Sequence, residues 1–500
     1  MSSAKKEIFF APTVPIPLAP VSVSERIKQL KLLLDDANPQ AERIEQRSNI
    51  RAAIAAYENG TITGETETYF MDGVQVTREE AMNGTMWAWS EGGLSFQLVQ
   101  KAVYGHGHYG PDYHEAAAAT GPSILFPRPT VNLRLVIKLP VSIVNDRYIL
   151  GRFTTKPFAR RATLFEDAVV RCVHYGFTNI KPPIARIFFV KGVSWPFLRY
   201  RMLRHGYLSL PVHLEDIEQG SLKGVWMIDD PSLKPDIVFY FAHGGGFSMG
   251  SAYFYLEFLL VTLELLRSKF SNPAIFALDY SLAPESPFPS QVEQALAGYK
   301  YLLATKNVPP SRICIAGDSA GGTIMLSLLL RLTRPNVGGR VSGELNGNAK
   351  SVSAESNKPG MACLISPWAT LVSPAHRDTE SDYLDAFRLH VFAHGYVGRK
   401  GSVYDPVASP GSCKDVDWWR QAAPQKGFAI SYGSEEVLAS DIRDLVELLH
   451  SSGVRVVADE DEGEVHAWPV AGLFLGSTKE SRIRGARRMV DRIAGLMVEA

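Results

Sequence analysis

Ser319 stands in the run Gly317-Asp318-Ser319-Ala320-Gly321-Gly322, between the apolar stretch Arg312-Ile313-Cys314-Ile315-Ala316 and a second apolar stretch starting at Ile324. A serine with glycine two residues to either side suits the apex of a sharp strand-to-helix turn. Residues without a bulky Cβ let the chain fold back on itself and leave the seryl oxygen clear of the backbone. Such an oxygen is a candidate nucleophile. Upstream, His243-Gly244-Gly245-Gly246-Phe247 follows another apolar run, and its glycines allow backbone N–H groups to approach a developing oxyanion. Gly245 and Gly246, with the N–H of Ala320, are the expected donors, and Gly244 is a further candidate. No Gly-Lys-Ser/Thr follows to make this a phosphate loop. His243 precedes the serine and is expected to brace the loop. The general base is expected later in the chain, where His466 is the only histidine after His450. An orienting carboxylate is expected in Gly433-Ser434-Glu435-Glu436, where two acids compete. Serine, acid and histidine in this order, with a glycine loop ahead of them, point to acyl transfer.

The composition is compatible with a neutral small molecule as partner. Lys plus Arg and Asp plus Glu both number 52 in 500 residues, so no net field favours nucleic acid. The cysteines, Cys172, Cys314, Cys363 and Cys413, show no disulfide framework, and no metal-ligand pattern or cofactor motif stands out, so neither metal nor cofactor is expected. No secretory leader and no apolar run long enough to cross a membrane is seen, and the expectation is a cytoplasmic protein, with peripheral membrane contact as an alternative.

The candidate residues need a frame, and from Tyr207 onward strands alternate with helices, the pattern of a mostly parallel sheet covered on both faces. An antiparallel pair is expected at Tyr207–Leu214 and Ser221–Met227. Further strands are expected at Asp236–Ala242, Ala274–Tyr280, Arg312–Ala316, Ala362–Ser366, Gly427–Tyr432 and Val454–Asp459. Helices are expected at Ala252–Phe270 and near 290–304, 321–332, 440–451 and 478–498. Three regions follow: an N-terminal extension, 1–130, of unassigned role; a helical region, 131–206; and a catalytic domain, 207–500, carrying a flexible polar insertion at 334–359. The extension reads as a Pro-rich arm, helices at Ser22–Asp36 and Ala41–Tyr57, and a β pair, Glu65–Phe70 with Val74–Val76. It ends in a Gly-, Pro- and Ala-rich linker, Gly105–Pro127. The aromatic, basic stretch Ala185–Leu203 is expected to pack over a pocket or core, a membrane surface being the alternative.

The chain resembles the hormone-sensitive-lipase-like family of α/β-hydrolases over about residues 236–470. The resemblance rests on His243-Gly-Gly-Gly-Phe247, Asp279-Tyr-Ser-Leu-Ala-Pro-Glu285 with Pro287-Phe-Pro289, Gly317-Asp-Ser-Ala-Gly-Gly322, Ser366-Pro-Trp368, Asp405-Pro-Val-Ala-Ser-Pro410 and His466. It implies an α/β-hydrolase fold with a helical cap, Phe153–Leu203 being the cap candidate, and a cofactor-free serine hydrolase acting on a small or medium, largely apolar ester. It also implies Ser319 as nucleophile, Glu436 as acid and His466 as base, with Phe247 and Trp468 lining the pocket. Three positions depart from the family pattern: Glu436 where Asp is usual, Ser281 where Arg is usual, and His466-Ala467-Trp468 where His-Gly-Phe is usual. The glutamate and the Tyr-Ser-Leu-Ala-Pro-Glu variant resemble fungal members and steryl acetyl hydrolases. An amidase or deacetylase on the same triad, or a ligand-binding receptor on the same fold, is the alternative reading.

Overall fold

A computed structural model describes residues 69–71, 74–76, 139–149, 158, 161–180, 182–204, 212–334, 357–379 and 381–498. The chain divides into two compact units, Met1–Arg128 and Pro129–Ala500. In the first, β1 (Tyr69–Met71) pairs antiparallel with β2 (Val74–Val76), Tyr69 opposite Val76. The helices expected at 22–36 and 41–57, the linker 105–127 and most of the insertion 334–359 lie outside the described residues.

The second unit is built on an eight-stranded sheet. Its strands are β3 (His213–Gln219), β4 (Leu222–Ile228), β5 (Ile237–Ala242), β6 (Pro273–Leu278), β7 (Ile313–Asp318), β8 (Met361–Ile365), β9 (Phe428–Gly433) and β10 (Val456–Asp461). Their order across the sheet is β10-β9-β8-β7-β5-β6-β4-β3. β4 runs antiparallel to both β3 and β6, and every other neighbour is parallel. The two faces of the sheet hold separate cores, and β5 supplies both by alternation. Val238, Tyr240 and Ala242 enter one, while Ile237, Phe239 and Phe241 enter the other. Strands buried on both faces read as continuous apolar runs, which is why β5 to β8 contain only buried residues.

Helices close both faces. One core is covered by α5 (Ser290–Ala304), α6 (Ala320–Thr333), α7 (Ala386–Val397), α8 (Val416–Ala422) and α9 (Ala439–Ser451). The other is covered by α4 (Leu256–Arg267), α10 (Trp468–Leu475) and α11 (Lys479–Val498). Ahead of the sheet come α1 (Leu139–Val144), α2 (Leu164–Asn179) and α3 (Lys191–Arg204). Helix α2 starts at a capping box, in which the Thr163 hydroxyl accepts the Glu166 N–H and the Glu166 carboxylate accepts the Thr163 N–H.

The opening strand was expected at 207–214 but spans His213–Gln219. As an edge strand it buries only Ile217, and its polar alternation was outweighed in the sequence by the apolar residues before it. Helices α7, α8 and α10 were not expected. The first two carry a start signal, since Asp385 accepts the Arg388 N–H and Asp415 the Trp418 N–H at their N-termini.

Helix α3 has two unlike faces. Ser194, Leu198, Arg201 and Met202 are buried, with Leu198 and Met202 joining the core under α4, whereas Val193, Pro196, Phe197 and Tyr200 point outward. Arg201 fixes the inner face: its guanidinium donates to the Glu257 carboxylate (Nη2–Oε1 2.8 Å) and to the Leu473 carbonyl (2.8 Å), and lies 4.9 Å from the Phe474 ring centre. One residue thus ties α3 to α4 and to the helix that follows His466. Arg201→Ala leaves the Glu257 carboxylate buried without its guanidinium, and the expected cost is about 3–5 kcal/mol of unfolding free energy. Lys191→Ala removes the solvent-exposed pair with Asp216 and a contact with the Tyr253 ring, and is expected to cost about 1 kcal/mol. Thermal or denaturant unfolding of the two variants checks the contrast.

Candidate active site

The turn between β7 and α6 is the tightest point of the fold. Ser319 adopts φ 51° and ψ −121°, a conformation that costs a non-glycine residue about 1–3 kcal/mol. Hydrogen bonds from several elements hold it there: its N–H donates to the Ile365 carbonyl (2.9 Å), and its own carbonyl accepts the N–H groups of Trp368 (3.1 Å) and Thr323 (3.2 Å). The glycines are needed for clearance, because a Cβ on Gly321 would collide with the Ala242 carbonyl and one on Gly317 with the Gly321 backbone. Five non-glycine residues among those described have φ between 43° and 59°, and four of them, Phe247, Ser319, Ser366 and Ala467, belong to this region.

Ala242 ends β5 and leads into the glycine loop. The Gly244 N–H donates to the Asp318 carboxylate at 2.8 Å, and the Tyr255 hydroxyl bonds the other carboxylate oxygen at 2.8 Å. Gly244 was a candidate oxyanion donor, but its N–H is already engaged by Asp318. The N–H groups of Gly245, Gly246 and Ala320 make no hydrogen bond among the described residues. His243 braces the loop as expected: its Nδ1 lies 2.7 Å from the Gly244 carbonyl, its ring stacks on Tyr280 at 4.2 Å, and its own carbonyl accepts the Tyr280 hydroxyl.

Glu436 lies in the loop after β9 and His466 in the loop after β10. Glu436 Oε2 is 3.1 Å from His466 Nδ1, and both side chains are buried. Glu435 instead uses its backbone, donating its N–H to Glu464 and accepting the Thr379 hydroxyl, so of the two competing acids Glu436 meets the histidine. The Ser366 hydroxyl, at the end of β8, accepts the Ala467 N–H at 2.9 Å.

Phe247 and Trp468 were both expected to line a pocket, and both side chains are buried. Phe247 has 0% exposure and stacks on Tyr396 at 3.7 Å, supporting the glycine loop from within the core. Trp468 is 4% exposed and packs against Gly485 on α11, with Arg484 over its ring at 4.7 Å. Sequence adjacency to the reacting groups does not decide where an aromatic ring points.

Two features had no signal in the sequence. Ser281 is secured by glutamines, its N–H donating to Gln294 Oε1 and its carbonyl accepting Gln291 Nε2. The nearby guanidinium comes instead from Arg186, which bonds the Ser248 carbonyl (2.7 Å), the Ala283 carbonyl and both Glu285 oxygens (2.9 Å). The segment preceding the sheet therefore grips the glycine loop from outside. The second feature is Asp382, which contacts both the Glu436 and the His466 loops.

Burial governs the charges. It raises the Glu436 carboxyl to about 8, outweighing the Ser366 hydroxyl and backbone groups that favour the carboxylate. It raises Asp318 to about 6 against the Tyr255 and Gly244 hydrogen bonds. It lowers His466 below the ordinary imidazole value, although Asp382 and Asp318 both favour the imidazolium. An extra proton on the Glu436–His466 pair disables the base wherever it lands, since a protonated Glu436 donates to Nδ1 and forces the ring hydrogen onto Nε2. Wild-type kcat/KM is therefore expected to fall on the acid side with a one-proton limb lying above ~6.5. In Glu436→Gln only His466 of the pair titrates, so the limb moves below ~6.5 and the plateau drops on the order of a hundredfold or more. Profiles of kcat/KM against pH for both proteins check this, and an unmoved limb means that the two residues are not coupled.

This sheet, with a serine at the strand-to-helix turn and its partners beyond later strands, defines an α/β-hydrolase, and a family model described as alpha/beta hydrolase fold matches residues 238–470. Within that class the chain resembles the hormone-sensitive-lipase-like family over this span. It is 29% identical over 242 residues to an acetyl-hydrolase of Streptomyces hygroscopicus, an alignment covering 48% of this chain and 70% of that one. It is 27% identical over 313 residues to a putative steryl acetyl hydrolase of Schizosaccharomyces pombe, covering 58% and 75%. The crystal structure of a hormone-sensitive lipase from a metagenome library shares the fold, with a TM-score of 0.50 and 22% identity over 66% of this chain and 98% of that one. The protein is thus an α/β-hydrolase similar to esterases and acetyl hydrolases. No helix among the described residues is long and apolar enough to cross a membrane.

Proposed function

We propose that the protein is a serine carboxylic-ester hydrolase acting on a small or medium, largely apolar ester, with acetyl esters as the first class to test. The observation that carries this reading is the 3.1 Å contact between Glu436 and His466, set beside a strained Ser319 and unengaged N–H groups at Gly245, Gly246 and Ala320. His466 Nε2 takes the proton of Ser319 as Oγ attacks the ester carbonyl. The oxyanion is stabilised by the three N–H groups. Collapse of this intermediate expels the alcohol, which takes the proton from His466 and leaves an acyl-serine. Water, deprotonated by His466, attacks the acyl carbon, and the acid departs as Ser319 recovers its proton. Glu436 holds Nδ1–H and balances the imidazolium during both halves. The acetyl choice is supported by the relatives, two of which are described as acetyl hydrolases.

Ser319→Ala is expected to retain the wild-type melting profile while losing both fluorophosphonate labelling, read by intact mass, and turnover of a p-nitrophenyl ester panel. A fluorophosphonate adduct that persists on another serine refutes the assignment. A parallel panel of aryl amides separates ester from amide preference.

A further inference from the structure

We propose that Asp382 is a positioning residue for this reaction, a buried clamp that holds the acid loop and the base loop in mutual register. The inference rests on the roles proposed above for Ser319, Glu436 and His466.

Asp382 is 3% exposed. One carboxylate oxygen accepts the backbone N–H of His466 (3.0 Å) and that of Tyr383 (2.9 Å), and the other accepts the N–H of Val437 (2.9 Å), the residue after Glu436. A single side chain thus binds the main chains of two loops that follow different strands. Its neighbours extend the clamp. The Tyr383 hydroxyl donates to the His466 carbonyl at 2.9 Å, and the Thr379 hydroxyl donates to the Glu435 carbonyl at 2.6 Å while accepting the Asp382 N–H at 3.0 Å. Thr379, Asp382 and Tyr383 together therefore touch the acid loop twice and the base loop twice. The backbone N–H donors favour the carboxylate but only partly offset its burial, which raises Asp382 to about 6.

The site magnifies small displacements. A shift of about 1 Å in one loop relative to the other breaks the Glu436–His466 contact and can lower turnover on the order of a hundredfold. The clamp also carries charge. The ionisable groups facing Asp382 and His466 are Glu436, Asp318 and Tyr383, and the nearest cation acting on Glu436 is Arg443, itself engaged by Glu460. Asp382 favours the imidazolium of His466, so its charge stabilises the cation formed as Ser319 loses its proton.

Asp382→Asn preserves shape and one acceptor oxygen, and replaces the other with an amide whose hydrogens oppose a loop N–H. The expected result is a fall in kcat of about thirtyfold or more with KM changed less than about threefold. The acid limb of kcat/KM shifts to lower pH, since removing a negative charge weakens proton binding by the Glu436–His466 pair. A residue with only a structural role would lower the melting temperature and leave kcat and the limb in place, and that outcome overturns the proposal. Should Asp382→Asn not fold, Tyr383→Phe and Thr379→Val each remove a single hydroxyl from the clamp. Both are expected to lower kcat several-fold at unchanged KM, and wild-type kcat in both overturns the proposal. If Ser319→Ala stays active, the catalytic reading itself fails. If Ser319→Ala is inactive and the clamp variants match wild type, only the clamp fails.

Discussion

The carbonyl of Ala242 lies so close to Gly321 that no side-chain atom fits between them, and much of the site depends on this contact. It brings the end of β5 against the first turn of α6, which places the glycine loop beside Ser319 and the unengaged N–H groups of Gly245, Gly246 and Ala320 on adjoining backbone. Asp318 secures the same junction through a hydrogen bond, holding Gly244 with one carboxylate oxygen and Tyr255 with the other. A close approach permitted by glycine and one buried carboxylate thus link the glycine loop to the turn that carries the serine.

The electrostatics follow from the same enclosure. Asp318, Asp382, Glu436 and His466 are all buried, and the groups that hold them are mainly backbone N–H and hydroxyl donors rather than arginine or lysine. In the reaction proposed above, dipoles fixed by the fold need no rearrangement when a proton moves from Ser319 to His466, whereas mobile ion pairs would. The cations that do join distant parts act at a remove from the reacting groups. Arg186 grips the glycine loop from the segment before the sheet, and Arg201 ties α3 to α4 and α10.

The parallel strands were legible because burial on both faces leaves an uninterrupted apolar run, as in Ile237–Ala242 and Ile313–Ala316. The sharp turn at Ser319 was legible from the glycines two residues to either side, and His466 stood out as the only histidine after His450. The choice of Glu436 over Glu435 needed either a family resemblance or the structure, since both occupy the same short loop. Asp382 and Arg186 were invisible for one physical reason: their partners lie 84 and 99 positions away, and no local periodicity records such a contact. The packing of Phe247 against Tyr396 and of Trp468 against α11 was not legible, because closeness along the chain says nothing about rotamer. The start of β3 was misjudged because an edge strand keeps one face polar.

The backbone conformations of Ser319, Ser366 and Ala467 have a kinetic meaning. Each is unfavourable alone and is held by hydrogen bonds that reach across strands: Ser319 to the end of β8, Ser366 to Ser431 on β9, and Ala467 to Ser366. The Ser319 bond needs β7 and β8 in register, the Ser366 bond needs β8 and β9, and the Ala467 bond needs the loop after β10 beside the end of β8. For the reaction proposed above, recovered turnover would therefore report that β7, β8 and β9 are correctly paired, which recovered secondary structure alone does not.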